Sequence, residues 1–215
     1  MESTYIVIPA QNESSTINGV VTKAKKFGSV IVVDDGSKDN TGSAASDATV
    51  LTHITNLGKG AALRTGCDFA IKKGATKIVV IDADTQHNPQ DIPRFLQTLK
   101  NHDVVLGYRK RSKSMPSVLR FGNGVINTMT KILYGIDVKD TQCGFRAFTA
   151  TAYKKIRWDA TNYSMESEMI ANIGRHKLSF GEVPIETVYA DRYKGTTIID
   201  GIKIVLNLMW WRIKR

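Results

Sequence analysis

Residues 78–87 read Ile78-Val79-Val80-Ile81-Asp82-Ala83-Asp84-Thr85-Gln86-His87: four apolar residues, all of them β-branched, followed at once by two carboxylates and further polar side chains. An uninterrupted run of this kind suits a strand covered on both faces. Its abrupt polar end is what a parallel α/β sheet places at its carboxyl edge, where such folds bind ligands. Asp82 and Asp84 stand two residues apart, so on an extended backbone their side chains share one side. Oxygen ligands of that type suit Mg²⁺ or Mn²⁺. A solvated pair of acids would give the same spacing, although Gln86 and His87 add polar atoms to the loop.

The pattern recurs on either side. Strand-like runs lie at Tyr5–Ile8, Val30–Val33, Thr49–His53, Lys77–Ile81 and Val104–Leu106, with helix-like stretches near 14–22, 60–73 and 90–101. Alternation of this sort predicts an α/β/α sandwich around a mostly parallel sheet. Polar clusters follow most of the runs: Pro9-Ala10-Gln11-Asn12-Glu13, Asp34-Asp35-Gly36-Ser37, the 82–87 loop and Gly107-Tyr108-Arg109. Any one of them could be a turn or a helix cap. Four on the same edge should converge on one cleft.

Composition sets the outer bounds. The chain has 215 residues, 42% hydrophobic and 23% charged, which is ordinary for a globular domain. Two cysteines, Cys67 and Cys143, exclude a disulfide framework and fit a reducing compartment. The N-terminus lacks the basic head and long apolar run of a signal peptide, and no apolar run reaches the roughly 18 residues of a membrane span. The net charge of +10 is concentrated: residues 104–136 carry +6 and residues 192–215 carry +5. A face for an anionic partner follows. Nucleic acid is a poor choice, because acidic strand ends would repel its backbone and no nucleic-acid motif is present.

The second half is less regular. Val118 to Leu133 shows helical apolar spacing after Pro116, Thr141 to Arg146 reads as a loop entering a short strand, and Met165–Arg175 and Phe180–Val188 read as helix and strand. The tail from Ile198 is amphipathic and ends Trp210-Trp211-Arg212-Ile213-Lys214-Arg215. Gly58-Lys59-Gly60 lacks P-loop spacing, Gly122-Asn123-Gly124 lacks a preceding strand, and the histidines and cysteines are too scattered for zinc.

Together, Pro9-Ala10-Gln11-Asn12-Glu13, Val33-Asp34-Asp35-Gly36-Ser37, Asn56-x-Gly58-Lys59-Gly60, Asp82-Ala83-Asp84-x-Gln86-His87, Gly107-x-Arg109 and Asp140-Thr141-Gln142-Cys143-Gly144-Phe145-Arg146 resemble the family 2 glycosyltransferases. The resemblance runs from about residue 4 to residue 197 and is strongest to the branch that makes polyprenyl- or dolichyl-phosphate sugars, the dolichyl-phosphate mannose and glucose synthases among them. It implies a GT-A fold over residues 1–197, a nucleoside-diphosphate sugar donor (UDP- or GDP-linked), a divalent metal, Mg²⁺ or Mn²⁺, and inversion at the anomeric carbon. By motif match, Pro9, Gln11, Glu13, Val33 and Asp35 cradle base and ribose. Asp82, Ala83, Asp84 and Gln86 hold diphosphate and metal, with Asp84 and Gln86 as the direct metal ligands. Arg109 and Arg120 fall where family members bind the acceptor phosphate, and Arg192 and Lys194 match a basic loop closing over the donor. Family members often carry Ser-Lys shortly after Gly195, where this chain has Thr197-Ile198, which leaves Arg192 and Lys194 to supply that charge.

The resemblance thus implies an inverting transfer of a hexose to a polyprenyl phosphate. Such an acceptor is already anionic and needs positioning rather than deprotonation, which suits arginines at 109 and 120. The alternative is a hydroxyl acceptor on a glycan or protein. That reaction needs a general base, and Glu166 or Glu168 would be the candidate. Residues 198–215 read either as a tail lying on a bilayer, with its tryptophans at the headgroups, or as a helix docked on the domain. The first reading puts the protein at the cytoplasmic face of a membrane, peripherally.

Overall fold

A computed structural model of the chain describes residues 3–109, 117–186 and 198–214, without the side chains of 117–121, 123, 198–200 and 214. The expectations for Arg120, Arg192 and Lys194 therefore lie outside the described residues.

Seven strands form one sheet: β1 (Thr4–Ala10), β2 (Ser29–Asp34), β3 (Thr49–Thr52), β4 (Lys77–Val80), β5 (Val104–Arg109), β6 (Arg146–Thr149) and β7 (Phe180–Ile185), in the order β3-β2-β1-β4-β6-β5-β7. β1 pairs in parallel with β2 and β4, β2 with β3, and β5 with β7, whereas β6 runs antiparallel between β4 and β5. Helices α1 (Ile17–Ala24), α2 (Thr41–Ala44), α3 (Lys59–Lys72), α4 (Ile92–Thr98), α5 (Ser117–Tyr134), α6 (Ala150–Ile156), α7 (Met165–Arg175) and α8 (Ile198–Lys214) surround it.

The period of two along each strand divides the apolar residues between two cores. Val7, Ile31, Val33, Ile78, Val80, Val104, Leu106 and Phe148 point to one face, against α3, α6 and α7. Ile6, Ile8, Val30, Val32, Val79, Ile81, Val105 and Ala147 point to the other, against α1 and α4. This is why the runs at 30–33 and 78–81 contain no polar position: both faces are covered. The expected α/β/α sandwich with a mostly parallel sheet is the observed architecture.

Some boundaries differ from the sequence expectation. The stretch near 90–101 begins as a 3-10 turn at Pro89–Asp91, where Asn88 accepts a bond from the Gln90 N–H, before α4 starts. Helix α6 was not anticipated. Thr149, the last residue of β6, caps it by accepting from the Ala152 N–H. The strand expected over Phe180–Val188 is observed to Ile185, and residues 187–188 lie outside the described set.

Helices α5 and α8 form an outer layer on α7. Ile126, Ala171, Ile204 and Leu208 make a small third core, with Met129, Leu133, Tyr134, Val205 and Trp211 around it. Covered by the sheet on one side and by this pair on the other, α7 is buried from Met165 to Ile173. The Tyr134 hydroxyl donates to the Leu208 carbonyl at 2.7 Å, and Arg175 donates to the Trp211 carbonyl at 2.5 Å. The tail is thus docked through one stripe. Among the described residues no helix is long and apolar enough to cross a membrane.

Candidate active site

The polar ends of β1, β2 and β4 lie side by side, because these strands are parallel neighbours with Pro9 opposite Val33 and Ala10 opposite Asp34. β5 ends at the same edge with Arg109. The antiparallel β6 begins there, with Arg146 beside Val80 and Leu106. The loop that precedes β6, residues 140–145, is therefore delivered to the edge where the other strands finish.

Lys59 stands at the centre of the acidic region, on the first turn of α3. Its Nζ lies 2.7 Å from Asp82 Oδ1 and 3.1 Å from Glu166 Oε1. Burial alone would pull the Lys59 ammonium pKa down, but Asp82 and then Glu166 more than reverse this, and the net direction is up. Burial likewise opposes ionisation of Asp82, and the Lys59 charge more than offsets it, so Asp82 is held below the ordinary carboxylate range. Asp84 behaves in the opposite way. Burial, and secondly the Asp82 charge, push its pKa up to about 6. The pair thus splits into an ion-paired Asp82 and an Asp84 whose negative charge is poorly compensated.

That split bears on metal binding. Among the described residues no group of three or more His, Cys, Asp or Glu forms a cation cage. Mg²⁺ and Mn²⁺ sites that work with phosphates do not require one, since one or two carboxylates and the phosphate oxygens suffice. Asp84 fits such a role: an under-compensated carboxylate that accepts the Gln86 N–H at 3.0 Å. Thr85 between them has a φ of 62°, an unusual value for a β-branched residue, of the kind that gathers at functional sites. The donor set is consistent with Asp84 and Gln86 holding a divalent ion.

The other expected donor residues are placed as follows. Gln11 is exposed and Pro9 half-buried at the end of β1, while Val33 and Ala83 are buried. Glu13 receives the Thr16 hydroxyl at 3.0 Å, and its own N–H donates to Thr41 Oγ1 at 2.8 Å. The Asp35 carboxylate is engaged by the chain itself: it accepts the N–H groups of Leu57 and Gly58 at 2.9 and 2.8 Å and pairs with His53 Nδ1 at 2.7 Å. It holds the Asn56–Gly58 turn that presents Lys59. Gly58 has a φ of 96°, and a Cβ there would collide with the Thr161 carbonyl. His87 is buried beside the Phe145 ring, and burial pushes its pKa down to about 4.

Arg109 forks onto Asp140, donating from Nε at 2.6 Å and from Nη2 at 2.9 Å. Glu168 is fully buried and accepts the N–H groups of Asp159 and Ala160 at 3.1 and 2.8 Å. Arg146, also buried, donates to the carbonyls of Cys143, Glu166 and Thr141. Gly144 packs so closely on Asp82 that a Cβ would collide with the carboxylate. Lys59, Asp140 and Arg146 are the members of this site to which sequence reasoning gave no role of their own. The flanking glycines of Gly58-Lys59-Gly60, both in close backbone contact, were the available signal for Lys59.

Three comparisons bear on this arrangement. The model for "Glycosyl transferase family 2" matches residues 5–157. The chain is 37% identical to an uncharacterized protein of Methanocaldococcus jannaschii, over 97% of this chain and 92% of that one. It is 34% identical to a UDP-N-acetylglucosamine–dolichyl-phosphate N-acetylglucosaminyltransferase of Methanococcus voltae, over 95% and 94%. Among solved structures, glucosyl-3-phosphoglycerate synthase of Mycobacterium tuberculosis, in complex with Mn²⁺, UDP and glucosyl-3-phosphoglycerate, superposes with a TM-score of 0.72 at 20% identity, covering 98% of this chain and 80% of that one.

Proposed function

The chain belongs to glycosyl transferase family 2, and from that premise we propose that it transfers a sugar from a nucleoside diphosphate to a polyprenyl phosphate such as dolichyl phosphate, with inversion. The observation that carries the choice of acceptor is the state of the two carboxylates a hydroxyl acceptor would need. Glu168 is engaged on backbone N–H groups, and Glu166 is buried with Oε1 on Lys59 and Oε2 without a hydrogen-bond partner, whereas a cation, Arg109, oriented by its fork onto Asp140, stands at the same sheet edge. A phosphate acceptor requires no base, only a cation that orients it. The relative from Methanococcus voltae is named for a dolichyl-phosphate acceptor, which supports the same reading.

Asp84 and Gln86 would hold Mg²⁺ or Mn²⁺, which would neutralise charge gathering on the departing diphosphate. The chain's own groups do the rest. Lys59 keeps Asp82 ionised and fixed, and Arg109 orients the acceptor phosphate toward the anomeric carbon. UDP-N-acetylglucosamine is the first donor to try, because a 34% identical relative is named for it. In a transfer assay with polyprenyl phosphate, Arg109→Ala and Arg120→Ala should each lower turnover by about a hundredfold, as loss of a charge-assisted clamp implies. Donor binding by calorimetry should stay within about twofold. Equal loss of donor affinity would move these arginines to the diphosphate site.

With a lipid acceptor, we propose that the enzyme works at a membrane surface, peripherally and on the cytoplasmic side. Ile202, Leu206, Met209, Trp210 and Ile213 form an exposed apolar stripe on α8, opposite the docked residues Ile204 and Leu208. Exposed Lys203 and Arg212 flank it, which suits contact with anionic headgroups. Replacing Leu206 and Ile213 together by serine should abolish co-sedimentation with anionic liposomes at low salt and leave the melting temperature unchanged, since neither belongs to the docked core. Wild-type protein that ignores such liposomes at every salt concentration would refute the surface contact.

A further inference from the structure

Residues 139–143 are held from several directions. From α5, Asn127 donates Nδ2 to the Lys139 carbonyl at 2.9 Å and accepts, on Oδ1, the Thr141 N–H at 3.2 Å and hydroxyl at 2.7 Å. From β6, Arg146 donates to the carbonyls of Thr141 and Cys143 at 2.7 and 2.8 Å. From α7, Ser167 accepts Gln142 Nε2 at 2.9 Å, and from β7, Glu182 accepts the Lys139 N–H at 2.8 Å. Asp140 sits between the two residues that Asn127 grips. Its carboxylate is 8% exposed and takes both Nε and Nη2 of Arg109.

A guanidinium held by two parallel bonds takes its plane from the carboxylate it meets. The backbone at 139–141 sets where that carboxylate stands, and Asn127 binds this backbone on both sides of Asp140. We propose that Asn127 is a positioning residue for the acceptor: through Asp140 it fixes the Arg109 guanidinium in the plane that an incoming phosphate monoester meets. The same side chain joins α5, whose Val125 and Ile132 are exposed, to the acceptor end of the cleft. A helix that faces outward is thereby tied to the group that orients the acceptor. This inference rests on the reading of Arg109 as the phosphate clamp.

The test compares Asn127→Ala, Thr141→Val, Asp140→Asn, the double variant Asn127→Ala/Asp140→Asn and Arg109→Ala. Transfer kinetics use a short-chain polyprenyl phosphate in detergent, and calorimetry measures donor binding. Asn127→Ala should raise the acceptor KM about tenfold, the effect of one or two lost hydrogen bonds, with kcat and donor affinity within about twofold. Thr141→Val removes the hydroxyl's bond to Asn127, together with the long 3.5 Å contact from Gln142 Nε2, while keeping the backbone bond, and should move the KM the same way by less, which keeps the test open if the alanine variant folds poorly. The double variant should be no worse than Asp140→Asn, because the two residues act in series. Additive losses in the double variant, or an unchanged KM in Asn127→Ala and Thr141→Val while Arg109→Ala raises it, overturn the role of Asn127. An acceptor KM that Arg109→Ala leaves untouched overturns the clamp and the role of Asn127 with it.

Discussion

Asp84→Asn should lower sugar transfer by about a thousandfold or more and, in the same protein, raise the melting temperature measured in chelator. The first effect follows from the loss of the carboxylate best suited to hold the divalent ion, with the several kcal/mol of leaving-group stabilisation it supplies. The second follows from where Asp84 titrates. Its pKa is pushed from the ordinary 3.8 to about 6 by burial and by Asp82, so the fold favours the protonated acid. Stability from this group is present below pH 3.8 and is lost as pH rises through about 6. Asparagine resembles the protonated acid and should recover up to about 3 kcal/mol above pH 6, a ceiling because part of the carboxylate reaches solvent. Below pH 4 the gain should vanish. Turnover assays with Mg²⁺ or Mn²⁺ and melting curves below pH 4 and at pH 8 in chelator decide the matter. Wild-type turnover, or a melting temperature at pH 8 below that of wild type, would sink the assignment.

That Asp84 could be named from sequence, and Lys59 could not, reflects how each is positioned. Asp82 and Asp84 follow an apolar run whose two-sided burial is legible in its composition, and parallel strands deliver their carboxyl ends to one edge. The rule of looking just after each strand fails at β6, which runs antiparallel and brings its preceding loop to that edge instead. Asp140 and Gly144 enter the site by this reversal. Glu166 and Glu168 illustrate a second limit. Their spacing at a helix start was compatible with an exposed cap or a catalytic base, and the exposed cap is not observed: α7 is covered on two sides, so both carboxylates are internal, Glu168 on backbone N–H groups and Glu166 with Oε1 on Lys59. The tail is the third case. Its docked stripe, Ile204 and Leu208, and its exposed stripe, Leu206, Trp210 and Ile213, are both apolar, and only the packing on Ile126 and Ala171 tells them apart.

Lys59→Met should be among the most damaging single changes in the cleft. The ammonium lies between Asp82 and Glu166, whose side chains are 21% and 4% exposed, so its loss leaves two carboxylates facing each other with little water to separate them. Breaking a pair of this kind costs about 3–5 kcal/mol, which for a chain of this length lowers the melting temperature by about 10 °C. The pH dependence identifies the cause. In the wild type Lys59 holds Asp82 below the ordinary carboxylate range, so the pair's stabilisation is present above pH 3.8 and is lost as pH falls through the depressed value. The gap between wild type and Lys59→Met should therefore be wide at pH 7 and close toward pH 3. Adding Glu166→Gln removes one of the two stranded charges and should restore part of the stability. Donor transfer should fall in both variants, because Gly144 rests on Asp82 and moves with it. Melting curves of the single and double variants from pH 3 to pH 8 test this. A loss under about 0.5 kcal/mol, within the range of an ordinary surface change, or a gap that does not vary with pH, would mean that Lys59 is a solvated lysine and that Asp82 owes its ionisation to something else.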